Sequence, residues 1–152
     1  MRLSRLLGAL GAALACMGAW AAAPEGTWQF ERSVDYFGRT VPNQPPKFTT
    51  IVFRNSEVSL SDACVARFSV DDYLFPQVFQ PMSRQGVTEK QLDSFLLKNF
   101  DLSLSMTKEV YPLASRPANC ARPIMEFFVV NDRVLIPAGA TFYSFVKASP
   151  AL

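Results

Sequence analysis

The sequence predicts a mainly β fold, an antiparallel meander forming a curved sheet or partly closed barrel, with one helix and one disulfide. Three observations carry it. Short segments of alternating apolar and polar residues recur between turn signals, as half-buried strands require. A single stretch has apolar residues at helical spacing. Two cysteines, Cys64 and Cys120, remain once an N-terminal leader is set aside.

The leader comes first. Met1 to Arg5 is a short basic region, Leu6 to Ala15 is apolar, and Ala19-Trp20-Ala21 has the small-x-small pattern of a signal-peptidase site. The apolar run is shorter than the roughly 20 residues a membrane span needs. Residues 1–21 are thus expected to be a signal peptide and 22–152 one exported, β-rich domain, in the periplasm or secreted. Cys16 lies inside the leader. A lipobox places Leu three residues before its cysteine, whereas Leu14 is two before Cys16. A membrane partner is expected only if Cys16 is lipidated.

Thr27 to Arg32 alternates and opens the domain as a strand, with Trp28 and Phe30 on one face. The prolines of 41–46 make a loop. Lys47 to Arg54 is β-branched and aromatic, and Asn55-Ser56 turns it into Glu57 to Leu60. Cys64, Ala66, Phe68 and Val70 then recur at period two. Residues 72–86 are irregular, broken by Pro76 and Pro81 but rich in aromatics. Thr88 and Gln91 form a capping box for a helix over 89–99. Its stripe of Leu92, Phe95 and Leu96 is expected to face the sheet, with Glu89, Lys90, Asp93 and Lys98 in water. Asp101 to Thr107 alternates again and predicts a strand with Leu102, Leu104 and Met106 inward. Residues 115–123 form a Pro-rich loop holding Cys120. Ile124 to Val130 and Arg133 to Ile136 read as a hairpin across Asn131-Asp132. Residues 137–140 turn into a last strand, Thr141 to Lys147.

Composition removes whole classes of chemistry. The chain has no histidine, so Ser-His-Asp and Cys-His nucleophile systems and His-ligated zinc are excluded. The 15 Lys plus Arg against 13 Asp plus Glu include Arg2 and Arg5 of the leader, which leaves residues 22–152 formally neutral. No basic excess is present to bind nucleic acid. Cys64 and Cys120 are an even pair in an oxidising compartment, and a bridge between them closes a loop of roughly 57 residues, worth about 4 kcal/mol by chain entropy. Asp62, Asp71 and Asp72 lack the spacing of calcium-loop ligands and read as solvated turn carboxylates. Glu109 and Glu126 are candidates for a hydrolytic carboxylate pair, but sequence spacing does not show their separation. No cofactor, metal site or catalytic residue is predicted, and the chain is read as a non-enzyme.

Gly26-Thr27-Trp28 resembles the Gly-x-Trp that opens lipocalin-like (calycin) β-barrels. The resemblance implies that Trp28 packs at the closed end of a barrel under a basic residue following the last strand, here Lys147. It covers the two ends of the chain; the helix lies mid-chain, whereas the family carries its helix near the C-terminus.

Two functions from different classes follow. One is a non-catalytic periplasmic binding module whose concavity holds a small apolar ligand. The other is a protein-binding inhibitor or immunity-type protein acting on a periplasmic enzyme. For either, the candidate contact residues are Tyr36, Phe37, Tyr73, Phe75 and Phe79. These aromatics flank loops, where they rim a cleft, form a recognition patch or cap the end of the sheet. A hollow interior favours the ligand; a filled interior with a projecting loop favours the protein.

Overall fold

The computed structural model describes residues 23–61, 64–106, 109–113 and 126–149. The expected leader, residues 1–21 with Cys16, lies outside the described residues, as do Asp62, the 115–123 loop and Cys120. Among the described residues, alternation builds nine strands. They are β1 (Gly26–Asp35), β2 (Thr50–Arg54), β3 (Glu57–Ser61), β4 (Cys64–Arg67), β5 (Asp71–Asp72), β6 (Glu109–Pro112), β7 (Glu126–Val130), β8 (Arg133–Ala138) and β9 (Thr141–Lys147). One antiparallel meander runs in the order β4-β3-β2-β1-β9-β8-β7-β6-β5 and curls into a half-barrel. Phe68 bridges Leu113 in the same register that pairs β5 with β6. The chain from Cys64 to Asp72 thus serves β3 with its first half and β6 with its second. This draws the two edges of the half-barrel together at Phe68.

The concave side is filled by rings. Phe127 of β7 lies 4.9 Å from Phe53 of β2, 5.2 Å from Phe68 and 5.0 Å from Tyr111, all centroid to centroid. Trp28, Ile51, Val134, Ile136 and Phe145 complete this core. A second core lies on the opposite face of β7, β8 and β9, where Phe128, Val130, Leu135 and Phe142 meet the main helix. These three strands are buried on both faces, which is why their sequences are apolar almost throughout.

A bulge in β1 separates the two cores. The β1–β9 register shifts between Phe30 and Arg32, so Glu31 is an extra residue. Trp28 and Phe30 belong to the interior, but Val34 and Tyr36, at the same parity, pack in the outer core. One inserted residue reverses the facing of all that follow it.

The helices are α1 (Gln80–Ser83), a single turn, and α2 (Glu89–Phe100). The expected capping box starts α2: Thr88 Oγ1 accepts from the Gln91 N–H at 3.3 Å, and Gln91 Oε1 from the Thr88 N–H at 2.9 Å. Leu92, Leu96 and Phe100 are buried and Phe95 packs beside them. At its end, the carbonyls of Asn99 and Phe100 accept from Arg32 (3.0 Å) and Arg133 (3.1 Å). Cations at a helix C-terminus satisfy its orphan carbonyls and oppose its dipole. Arg133 is itself held by Glu31 of the bulge, at 2.9 and 3.1 Å, while Ser144 Oγ donates to the same carboxylate at 2.9 Å. The Arg133 hydrogen bonds hold the Glu31 carboxyl below its ordinary range against the opposing pull of burial.

The structure corrects three expectations. Residues 101–107 include no strand among those described: Leu104–Met106 is a 3₁₀ turn, and Met106 is exposed. The Asp93 carboxylate accepts from the Leu104 N–H at 2.6 Å and the Ser103 hydroxyl at 2.9 Å. Those bonds, across 10 and 11 residues, fold the chain back on α2 and override the alternation. Asp93 is therefore half-buried and engaged rather than solvated. Finally, β8 runs through Pro137, which lies past the last β7–β8 pair at Phe128↔Leu135, and the turn is Gly139-Ala140.

Candidate functional site

The β1–β2 connection, residues 36–49, is built outward from one buried carboxylate. Asp35 closes β1 and accepts from the backbone N–H groups of Phe37 (2.9 Å) and Arg39 (3.1 Å) and from Thr141 Oγ1 (2.9 Å). The Arg39 guanidinium lies 3.6 Å away. Burial pushes the Asp35 carboxyl up, but these N–H and O–H donors and the nearby cation outweigh it and hold it below its ordinary value. Two further bonds return the loop to β1: Ser33 Oγ donates to the Gln44 carbonyl, and the Asn43 N–H to the Ser33 carbonyl, both at 2.8 Å. Between these anchors residues 37–45 are all exposed. The Arg39 guanidinium stands 4.7 Å above the Phe37 ring, and Val41 is 70% exposed. The result is a loop fixed at its roots that holds a cation on an aromatic face in water.

The five predicted contact aromatics divide. Phe37 faces solvent, 39% exposed. Tyr36 is half-buried, its ring 5.0 Å from Phe95 of α2. Phe79 is 2% exposed, stacked on Phe128 at 5.3 Å and 5.9 Å from Phe142. Tyr73 and Phe75 are half-buried beside it at 6.2 and 6.3 Å. Tyr73 donates to Glu89 at 3.3 Å; burial and then that carboxylate push its hydroxyl pKa up. Tyr73, Phe75 and Phe79 thus come together, but as packing in the core beneath α2. Arg39 was not singled out in the sequence, although its place four residues after Asp35 in a loop without other anions was a visible signal.

Glu109 and Glu126 do not form a pair. Glu109 accepts from the Tyr111 hydroxyl at 3.1 Å and lies on the interior side with that ring; burial, then Glu109, pushes the Tyr111 hydroxyl up to about 12. Glu126 is opposite Pro112 and adjacent to Phe127, so it projects from the other face. Burial alone pushes its carboxyl up to about 7. Asp71 and Asp72 are consecutive, exposed β5 residues on opposite faces, and among the described residues no group of three or more metal-ligating side chains converges. No helix among the described residues is long and apolar enough to cross a membrane.

Trp28 is buried at the start of β1, opposite Lys147 of β9. Gly26 takes φ +91°, which an L side chain resists, and a Cβ there would lie 3.7 Å from Lys147 Cε. The Lys147 stem thus runs past Gly26, and among the described residues the cation seated over a ring is Arg39 on Phe37. No family model matches the chain, and no characterised protein or solved structure is found similar to it.

Proposed function

We propose that this protein is a non-catalytic, exported binding module that recognises a periplasmic protein through the 37–41 loop. A barrel of calycin type serves as its rigid support. The observation that carries the reading is the ring-packed interior: Phe53, Phe68, Tyr111 and Phe127 meet where a hollow barrel would hold its ligand. What remains for recognition is outside. The Phe37–Arg39 pair combines two residue types enriched at protein interfaces, and its anchors reduce the ordering cost of binding. An inhibitor or immunity-type role acting on a periplasmic enzyme fits these features. A Cys64–Cys120 disulfide belongs to the same proposal: Cys64 is buried and is not a free thiol.

The test compares the wild type with a Phe37→Ala/Arg39→Ala variant as baits in periplasmic extract, with quantitative mass spectrometry of what each retains. A partner enriched by the wild type and lost by the variant, at unchanged melting temperature, supports the reading. Equal retention overturns it. So does stoichiometric uptake of an uncharged apolar ligand that shifts the Phe127 and Tyr111 ring resonances, which would restore an interior apolar-ligand site.

A further inference from the structure

A cleft of about 350 Å³ opens where β2 and β3 part, lined by Lys47, Phe48, Thr49, Thr50, Val52, Ser59 and Leu60. Its cause is in the register. The β2–β3 ladder ends at Val52↔Ser59, although β2 runs on to Thr50 and β3 to Ser61. Beyond Ser59, where the β2–β3 ladder has ended, β3 also shifts register against β4. The Thr49 carbonyl accepts from the Phe30 N–H, so Thr49 turns its backbone to β1. By strand alternation the N–H and C=O of Thr50 turn the other way, toward the side β3 has left. The side chains of Lys47, Thr49, Thr50 and Ser59 make no hydrogen bond or ion pair among the described residues.

We propose that this cleft binds a carboxylate carrying an apolar body. Lys47 is the one charged side chain of the lining, and its lone cation selects an anion. The Thr50 N–H and the hydroxyls of Thr49, Thr50 and Ser59 are donors suited to carboxylate oxygens. Phe48, Val52 and Leu60 supply the apolar surface for the remainder of the ligand, and the volume falls within the range of small-ligand sites. The same chemistry is offered by a free alkyl or aryl carboxylate and by the C-terminal residue of a polypeptide. This site is separate from the 37–41 loop and does not depend on the protein-contact reading.

Labelled protein titrated with octanoate and with 1-octanol, followed by backbone amide shifts, tests it. Octanoate is expected to move Thr50, Ser59 and Leu60 and to bind at least about tenfold more tightly than octanol, the margin a charge-assisted hydrogen bond supplies. Lys47→Ala is expected to weaken octanoate about tenfold without moving the melting temperature, since Lys47 is exposed. A tetrapeptide ending in leucine, as free acid and as amide, distinguishes the sources. Tighter binding of the free-acid peptide than of octanoate assigns the site to a polypeptide terminus; weaker binding assigns it to a free carboxylate. Equal affinity for octanoate and octanol, shifts confined elsewhere, or an indifferent Lys47→Ala variant would overturn the proposal.

Discussion

Replacing Phe79 and Phe37 one at a time separates support from contact within the predicted aromatic set. Phe79 is 2% exposed, stacked on Phe128 at 5.3 Å and within 6.3 Å of Phe142, Tyr73 and Phe75. Truncation to Ala loses the transfer energy of a full ring and leaves a cavity between α1 and the sheet. Such changes cost about 3–5 kcal/mol, and the lost stacking places this one near the middle, at about 4 kcal/mol. For a chain of this size that lowers the melting temperature by about 12 °C. Phe37 is 39% exposed and meets chiefly Tyr36 and Arg39. Phe37→Ala should cost about 1 kcal/mol or less, a drop of about 3 °C. Thermal unfolding by circular dichroism, with urea titration as the second axis, reads both. A Phe79→Ala variant melting within about 3 °C of wild type, or a Phe37→Ala variant falling as far as Phe79→Ala, would refute the division.

Glu126 sets a pH dependence. Its carboxyl is raised from 4.5 to about 7 in the folded protein, so the folded state holds the proton more tightly. Its contribution is present below pH 4.5 and is lost as pH rises to about 7. Urea midpoints should show that decline in the wild type and a flatter profile in Glu126→Gln. Glu31 has the opposite sign: its lowered pKa stabilises the fold above the ordinary carboxylate range, and that contribution is lost as pH falls through the folded value. Glu31→Gln weakens the charge-assisted bonds to Arg133; a loss of about 1–3 kcal/mol, with faster amide exchange at the α2 C-terminus, is expected at pH 7. Leu96→Ala should cost about 2–5 kcal/mol because Leu96 is 1% exposed. Lys90→Ala should stay within about 0.5 kcal/mol, and equal losses from the two would show that the stripe is not core.

Elements whose local chemistry and tertiary packing agree were legible. The capping box and stripe located α2 to within a residue, and Thr141 to Lys147 is the strand that its alternation predicts. Asn131 takes φ 52°, the positive angle that a tight two-residue hairpin turn needs at its first central residue. Facing was legible only where one side of a strand is wet. In β7, Phe127 enters the interior and Phe128 the outer core, and two adjacent phenylalanines carry no sign of which is which. The same ambiguity hid Phe79, whose irregular, Pro-flanked surroundings resemble a contact loop. The Asp93 bonds that fold residues 103–104 onto α2 are contacts across 10 and 11 residues, beyond the reach of a local pattern.

The least legible residue, Glu31, has the widest consequence. As the extra residue of β1 it sends Trp28 and Phe30 inward and Val34 and Tyr36 outward, so one strand joins both cores. Its carboxylate then fixes Arg133, and Arg133 fixes the end of the helix that covers the outer core. Four residues later the same strand ends at Asp35, bonded to Thr141 of β9, and from there the exposed loop departs. The loop returns at Thr49, bonded to Phe30 immediately before the bulge. Both roots of the candidate recognition loop are thus held by the strand that organises the two cores. A ring-filled interior beside an exposed Phe37–Arg39 pair, on a loop bonded at both ends to β1, is the physical basis of the proposed protein-contact reading.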